Sequence, residues 1–322
     1  MNVVIEEKSK IYVAGGDTLV GASLLAELER RGYRRIVNRS VPEPDLADPA
    51  ETDEFFRTTL PELVFVAAGK SGGIEANRKY PASLMADNLL VATNVIRAAH
   101  RHGVRKLLYL ASSCVYPRLC PQPMEVGSLM TGPLEPTNEA YAAAKLAGLI
   151  LCRAYRVEHG VNFVTLIPAN PFGPGDDFSL EGSHVIAALM RRMHAAKIRG
   201  ESTVRVWGSG RPRREFIFAR DLADACIFVM QRYEDDEPIN VGVGSDLSIA
   251  ELAELVRETV GYRGRLEFDP GQPDGMPAKL LDSSRLRAMG WRPQTPLKTA
   301  LAETYEWFCK AAEKEHGDRA FL

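Results

Sequence analysis

The run Lys10-Ile-Tyr-Val-Ala14 enters Gly15-Gly-Asp-Thr-Leu-Val-Gly21 and continues into an amphipathic stretch from Ala22 to Arg31. No other feature of this chain restricts its fold so strongly. A short apolar run that ends on glycine reads as a buried strand, the glycines as a tight turn, and the periodic segment after them as a helix. That order brings backbone amides to the start of a helix, where they attract phosphate groups, and lets the backbone approach them closely. Gly15, Gly16, Asp17, Thr18, Leu19, Val20 and Gly21 are therefore candidate residues of a dinucleotide-binding turn. Thr18 stands at the middle position, where a glycine would leave more room.

Further apolar runs at 35–38, 63–68, 106–111 and 163–168 alternate with helical stretches near 50–58, 83–102 and 139–159. This alternation predicts an α/β fold with a Rossmann-type doubly wound parallel sheet covered on both faces. After Pro168 the pattern breaks into the loop Pro168-Ala-Asn-Pro-Phe-Gly-Pro-Gly175, followed by a helix over 184–197 and by short strands. A chain of 322 residues exceeds what one core holds, about 250–300 residues, so two lobes are expected. Residues 1–168 form the dinucleotide-binding domain, and a smaller α/β lobe that takes substrate follows. The end, from about Lys314, reads as a solvated tail.

The formal charge of −2 and pI near 6.3 lack the basic footprint of a nucleic-acid binder. Five cysteines at irregular spacing, with no Cys-x-x-Cys pair, suggest neither a disulfide framework nor a metal site. A reducing cytoplasm suits them. The N-terminus lacks a signal-type apolar region, and no stretch reaches the roughly 18 apolar residues of a membrane span, so a soluble protein without a membrane partner is expected.

Tyr141 and Lys145 lie four residues apart, on one face of a helix. An ammonium beside a phenol favours the phenolate, so the pair is suited to proton exchange with a substrate oxygen. Ser112 follows the strand-type run 106–111, which places its hydroxyl at the carboxyl end of a strand, where α/β sheets bind ligands. Taken alone, Tyr-x-x-x-Lys is as compatible with a solvated helix face.

Joined to Ser112-Ser-Cys-Val-Tyr-Pro117, Leu134-Glu-Pro-Thr-Asn138, Ser183-His184-Val185, Val206-Trp-Gly-Ser-Gly210, Arg214-Glu-Phe216, Asn240-Val-Gly242 and Lys279-Leu-Leu-Asp282, the motif extends into a resemblance over nearly the whole chain. The chain resembles the extended short-chain dehydrogenase/reductases of the NAD-dependent epimerase/dehydratase family, and within them the GDP-L-fucose synthases. The resemblance implies 3,5-epimerisation and 4-reduction of a GDP-linked 4-keto-6-deoxy sugar, NADP(H) as cofactor, no metal, and a homodimer. It implies that segments near 215–243 return to the first domain, leaving 169–214 and 244–322 as the substrate lobe.

It also implies roles. Ser112, Tyr141 and Lys145 serve hydride transfer, with Tyr141 as proton donor and Lys145 on the cofactor ribose. Cys114 and His184 are the acid/base pair of epimerisation; their ordinary pKa values, about 8.5 and 6.5, bracket neutral pH. Without the resemblance, Cys114 reads equally as an inert core thiol and His184 as a helix cap. Asn88, Pro168, Asn170 and His184 join the cofactor side. Arg192, Trp207, Arg214 and Asp274 are implied on the substrate side, where guanidinium forks suit a diphosphate; Trp207 is otherwise core and Asp274 a turn former.

This chain departs from the family pattern in four places. Asp17 and Val41 stand where arginines that face an adenosine 2′-phosphate are usual, which leaves Arg39 as phosphate partner or plain surface residue and NAD(H) as the alternative cofactor. Thr18 replaces the middle glycine, and Phe172 replaces a tyrosine. These departures keep open a sibling that only reduces or only epimerises another nucleotide-linked 4-keto sugar. A non-catalytic nucleotide sensor is the reading from another class.

Overall fold

The computed structural model describes residues 8–316. Four runs of apolar residues become strands with every residue buried: β1 (Ile11–Ala14), β2 (Leu63–Val66), β3 (Lys106–Leu110) and β4 (Phe163–Pro168). Between them lie helices α1 (Leu19–Arg30), α2 (Pro49–Thr59), α3 (Ile74–Lys79), α4 (Pro81–Arg101) and α5 (Glu139–His159). Beyond β4 come β5 (Asn170–Phe172), α6 (Val185–Arg199), β6 (Thr203–Trp207), β7 (Arg213–Arg214), β8 (Phe216–Phe218), α7 (Ala219–Arg232) and β9 (Ile239–Val241). The remainder is β10 (Leu247–Ser248), α8 (Ile249–Val260), β11 (Arg265–Asp269), β12 (Ala278–Lys279), α9 (Ser284–Ala288) and α10 (Leu297–His316).

The main sheet runs β1-β2-β3-β4-β9, with every neighbouring pair parallel. Its carboxyl ends share one edge, which is where open α/β sheets place ligands. The strand expected over 35–38 shrinks to one bridge, Ile36 to Ile11, followed by a 3₁₀ turn at Val37–Arg39. Asn38 explains the difference. Its side-chain amide accepts from Val13 N at 3.0 Å and donates to Val13 O at 2.8 Å, replacing the ladder that another backbone would supply.

Two hydrophobic cores form. One packs the main sheet with α1, α4, α5 and α7; the other joins Phe172, Phe216 and Phe218 to α6, α8 and α10. Met276, Leu281, Leu286 and Trp291 belong to the first core, although they lie within 244–322. The chain thus crosses between cores more often than the expected boundaries imply. Helix α10 occupies the beginning of the expected tail, and the rest of that tail lies outside the described residues. Among the described residues no helix is long and apolar enough to cross a membrane.

Helix α5 carries Tyr141 and Lys145, and its alanine-rich first turns favour helix strongly. It stops at Gly160, a left-handed residue whose N–H reaches Arg156 O at 2.9 Å. In the run 146–152, Gly148, Leu149 and Cys152 face the core, and Ile150 is exposed. Gly148 is a packing requirement: a Cβ there would sit 2.4 Å from the ring of Tyr109, a buried residue of β3. Gly148→Ala gains about 1 kcal/mol of helix propensity, whereas overpacking a rigid core costs about 1–3 kcal/mol. The clash should prevail, lowering stability by a net value of up to about 2 kcal/mol, read as a lower urea midpoint. Unchanged or raised stability would mean that α5 has room to move off the sheet.

Candidate active site

The turn after β1 is built for close approach. Gly15 adopts φ +78°, and a Cβ on it would lie 2.4 Å from Ala68 Cα, beyond the end of β2. Thr18 is accommodated because it caps α1. Its hydroxyl donates to Gly15 O at 2.8 Å and accepts from Gly21 N at 3.1 Å. Thr18, Leu19 and Val20 line a cavity of about 420 Å³ that runs along the carboxyl edge of the sheet. Gly15, Gly16 and Gly21 shape the turn from behind.

Asn88 lies beneath Gly69. Its amide nitrogen donates to Lys70 O and Leu84 O at 2.8 and 2.7 Å, while its buried Oδ1 has no partner. A Cβ on Gly69 would meet that oxygen at 2.3 Å. Bare backbone at Gly15 and Gly69, a capped helix start and an orphaned amide oxygen fit a bound dinucleotide. Two expected contacts lie elsewhere. Asp17 is exposed outside the cavity wall, and Arg39 is held by Glu29 at 2.5 Å on the surface. Glu43 is a residue that sequence reasoning missed. Its carboxylate accepts from Tyr12 OH at 2.6 Å and from Gly15 N at 2.9 Å, and burial raises its proton affinity. Its only signal was an acidic residue shortly after the second apolar run.

Ser112, Cys114, Tyr141, Lys145, Pro168, Asn170 and His184 line the same cavity. Ser112 lies two residues past the end of β3 and caps the 3₁₀ turn Ser113–Val115, accepting from Cys114 N at 3.3 Å. Burial raises the proton affinity of Tyr141, the charge of Cys114 adds to that, and a hydrogen bond with Ser112 only partly offsets both. This corrects the expectation that Lys145 would draw the phenol toward neutral pH. The Lys145 amine is turned to Leu110 O, 3.2 Å away, and burial lowers its pKa to about 8. A phenol that keeps its proton is a donor in waiting.

Cys114 has different surroundings. Burial alone would raise its pKa, but the charge of Lys279, hydrogen bonds from Ser112 and Lys279, and the more distant Arg214 bring it below the ordinary value. Lys279 Nζ and Asn138 Nδ2 lie 3.2 and 3.1 Å from Sγ. Both belong to segments that carry the family resemblance, yet neither has a motif that announces a thiol partner. His184 occupies the N-cap position of α6 without a side-chain capping bond. The residue is exposed and lines the cavity, yet desolvation by the surrounding protein disfavours the imidazolium, and Lys279 lowers its pKa further.

On the same cavity wall, the Arg192 guanidinium lies 5.0 Å from the ring centroid of Trp207, which is 39% exposed and so a wall of the cavity rather than core. Arg214 donates to Arg213 O and Asp274 O at 2.8 and 3.3 Å, and Asp274 accepts from Ser209 N and Ser209 Oγ, both at 2.7 Å. Asp274 is thus both a turn clamp and a cavity residue. Asn170 donates to Glu215 O at 2.7 Å, and Phe172 is buried beside Phe216 and Phe218.

A family model described as the NAD dependent epimerase/dehydratase family matches residues 11–242. GDP-L-fucose synthase 1 of Arabidopsis thaliana is 48% identical over 305 residues, which cover 95% of this chain and 94% of the relative. The crystal structure of a GDP-6-OMe-4-keto-L-xylo-heptose reductase from C. jejuni matches with a TM-score of 0.89 at 31% identity, covering 96% of this chain and 99% of that one. A GDP-L-fucose synthetase from Naegleria fowleri bound to NADP matches at 0.88 and 28% identity, covering 99% and 97%.

The buried Lys145 has a consequence for stability. Folding lowers its pKa to about 8, whereas the unfolded group keeps its proton to about 10.4. The cost of burying the charge is therefore fully present below pH 8 and is relieved as pH rises from 8 toward 10.4, because the unfolded chain then binds more protons. Melting curves of the parent and of Lys145→Met at several pH values should show the parent gaining relative to the variant across that window. A constant difference would overturn the assignment of a desolvated ammonium.

Proposed function

This chain belongs to the NAD dependent epimerase/dehydratase family and, within it, to the GDP-L-fucose synthases, and we propose that its cavity epimerises C3″ and C5″ of GDP-4-keto-6-deoxy-D-mannose and then reduces C4″, yielding GDP-L-fucose. The observation that carries this reading is the convergence of Ser112, Cys114, Tyr141 and His184 on one cavity that Arg192 and Arg214 also line.

Epimerisation needs a base on one face of the sugar and an acid on the other. Cys114, with its lowered pKa, takes the proton beside the ketone, leaving a thiol and an enolate. His184 returns a proton to the opposite face. Its lowered pKa makes the imidazolium, once formed, a stronger donor. A nicotinamide dinucleotide, when bound, supplies the hydride for C4″. Tyr141 gives its phenolic proton to O4″, Ser112 hydrogen-bonds that oxygen, and Lys145 binds the cofactor ribose. Arg192 and Arg214 hold the diphosphate as charge-assisted forks, and Trp207 covers the nucleotide or sugar. Thr18, Leu19, Val20 and Asn88 serve the cofactor, together with Pro168 and Asn170.

The likeness to a 4-keto-heptose reductase favours one second reading, a reductase that leaves C3″ and C5″ untouched. Isotope exchange separates the two. In D₂O the parent should incorporate deuterium at both carbons, Cys114→Ser should slow this, and Tyr141→Phe should retain it while losing a factor of roughly 10²–10⁴ in reduction. No deuterium incorporation by the parent would leave a reductase only, and near-parental reduction by Tyr141→Phe would remove the tyrosine from its role.

NADP is bound in the Naegleria fowleri relative, but this chain offers the adenosine 2′-phosphate little. Arg39 is engaged by Glu29, Asp17 adds negative charge nearby, and Glu43 occupies Gly15 N. An arginine–phosphate bond contributes about 1.5–3 kcal/mol, or roughly 10- to 100-fold in affinity. The preference for NADPH over NADH should accordingly be smaller than about 10-fold, measured as binding constants of the two reduced cofactors. A larger preference that survives Arg39→Ala would show that the phosphate sits elsewhere.

A further inference from the structure

Lys279 ends a two-residue strand, β12, whose partner β7 places Arg214 directly across from it. The residue is 6% exposed, and among the described residues no carboxylate lies within ion-pair distance of its ammonium. A buried cation without a counter-ion is costly, and proteins resolve the cost by supplying an anion or by moving a proton. The atom offered to Lys279 is Cys114 Sγ, 3.2 Å away, held from another side by Asn138 Nδ2.

We propose that Lys279 is a positioning residue that keeps Cys114 as the thiolate base of epimerisation, its ammonium serving as the fixed counter-ion of the sulfur. The inference rests on the reading of Cys114 as the epimerisation base. When the thiolate accepts the proton beside the ketone, an S–H bond forms as the C–H bond breaks. The negative charge passes to the enolate, and Lys279 remains as the nearby cation. The groups that face Cys114 are Lys279 from β12, Arg214 from β7, Tyr141 from α5, and Ser112 and Asn138 from the segments around it. Lys279 is the sole cation among them in contact with the sulfur, and Arg214 adds charge of the same sign. The same ammonium acts on His184, so its removal should shift both members of the pair in one direction.

The test is a pH series of iodoacetamide alkylation followed by peptide mass spectrometry, which reads Cys114 apart from the other four cysteines. In the parent the Cys114 midpoint should lie below the ordinary thiol value of about 8.5. In Lys279→Gln it should rise by about one unit or more, about a tenfold loss of alkylation rate below the midpoint, while Lys279→Arg should stay near the parent. The deuterium-exchange profile of Lys279→Gln should move as a whole to higher pH. An unmoved midpoint in folded Lys279→Gln overturns the proposal, and a parental midpoint at or above that of an ordinary thiol overturns it even where the variant does not fold. A low, Lys279-dependent midpoint in a parent that exchanges no deuterium would instead overturn the epimerase reading alone.

Discussion

A single buried carboxylate gathers the pieces on which the active site depends. Glu215 is fully buried, and its oxygens accept from Gly244 N at 2.7 Å and Leu281 N at 2.9 Å. Its own N–H reaches Lys279 O at 3.1 Å, and its carbonyl accepts from Asn170 N at 3.2 Å and Asn170 Nδ2 at 2.7 Å. Three segments far apart in sequence meet on this one residue. Gly242 lacks a side chain for this reason: a Cβ there would lie 2.3 Å from Glu215 Oε1. Burial raises the proton affinity of the carboxyl, and the backbone amides act against that. Without those amides an ionised group in this place would be prohibitively costly, and without the carboxylate the amides would be buried unpaired.

The consequence is a division of labour along one cavity. The parallel sheet supplies the groups proposed for hydride transfer from positions fixed by packing, with Ser112 just beyond β3 and Tyr141 on a helix pressed against Tyr109. The segments gathered by Glu215 supply the cations, Arg214 and Lys279, and bring them to Cys114 from the other side. Neither half makes a site alone. The crossings of the chain between the two cores are what join them, which is why Met276 and Leu281 pack in the first core while Arg214 and Trp207 extend the second lobe.

The sequence made the sheet legible because buried parallel strands are continuous apolar runs and the helices between them are periodic. It failed at 35–38, where the side chain of Asn38 takes over the hydrogen bonds of a strand, a substitution that no pattern of hydrophobicity reports. Of the cavity groups, Tyr141 and Lys145 were legible through their spacing and Ser112 through its place after a strand, whereas Cys114 and His184 were legible only through the family resemblance. The partners of the sulfur were not, because Lys279 lies 165 residues from Cys114 and only the folded chain brings them into contact. Of the motif segments 214–216, 240–242 and 279–282, only Arg214 had a chemical role to read from the sequence, and the packing of Gly242, Lys279 and Leu281 around Glu215 accounts for the rest.

The electrostatics of the site also bear on how two reactions share one cavity. The charge on Cys114 adds to the proton affinity of Tyr141, and Lys279 lowers the pKa of both Cys114 and His184. A phenol beside a thiolate holds its proton more tightly than the same phenol beside a thiol. In the proposed reaction, the tyrosine is therefore least ready to give a proton to oxygen while the sulfur is charged and ready to take one from carbon. Once the sulfur has been neutralised, that restraint is lifted. Proximity of the two proposed acid/base systems thus makes them antagonistic in one charge state and permissive in the next, and Lys279, in contact with the sulfur, bears on the phenol by way of that charge.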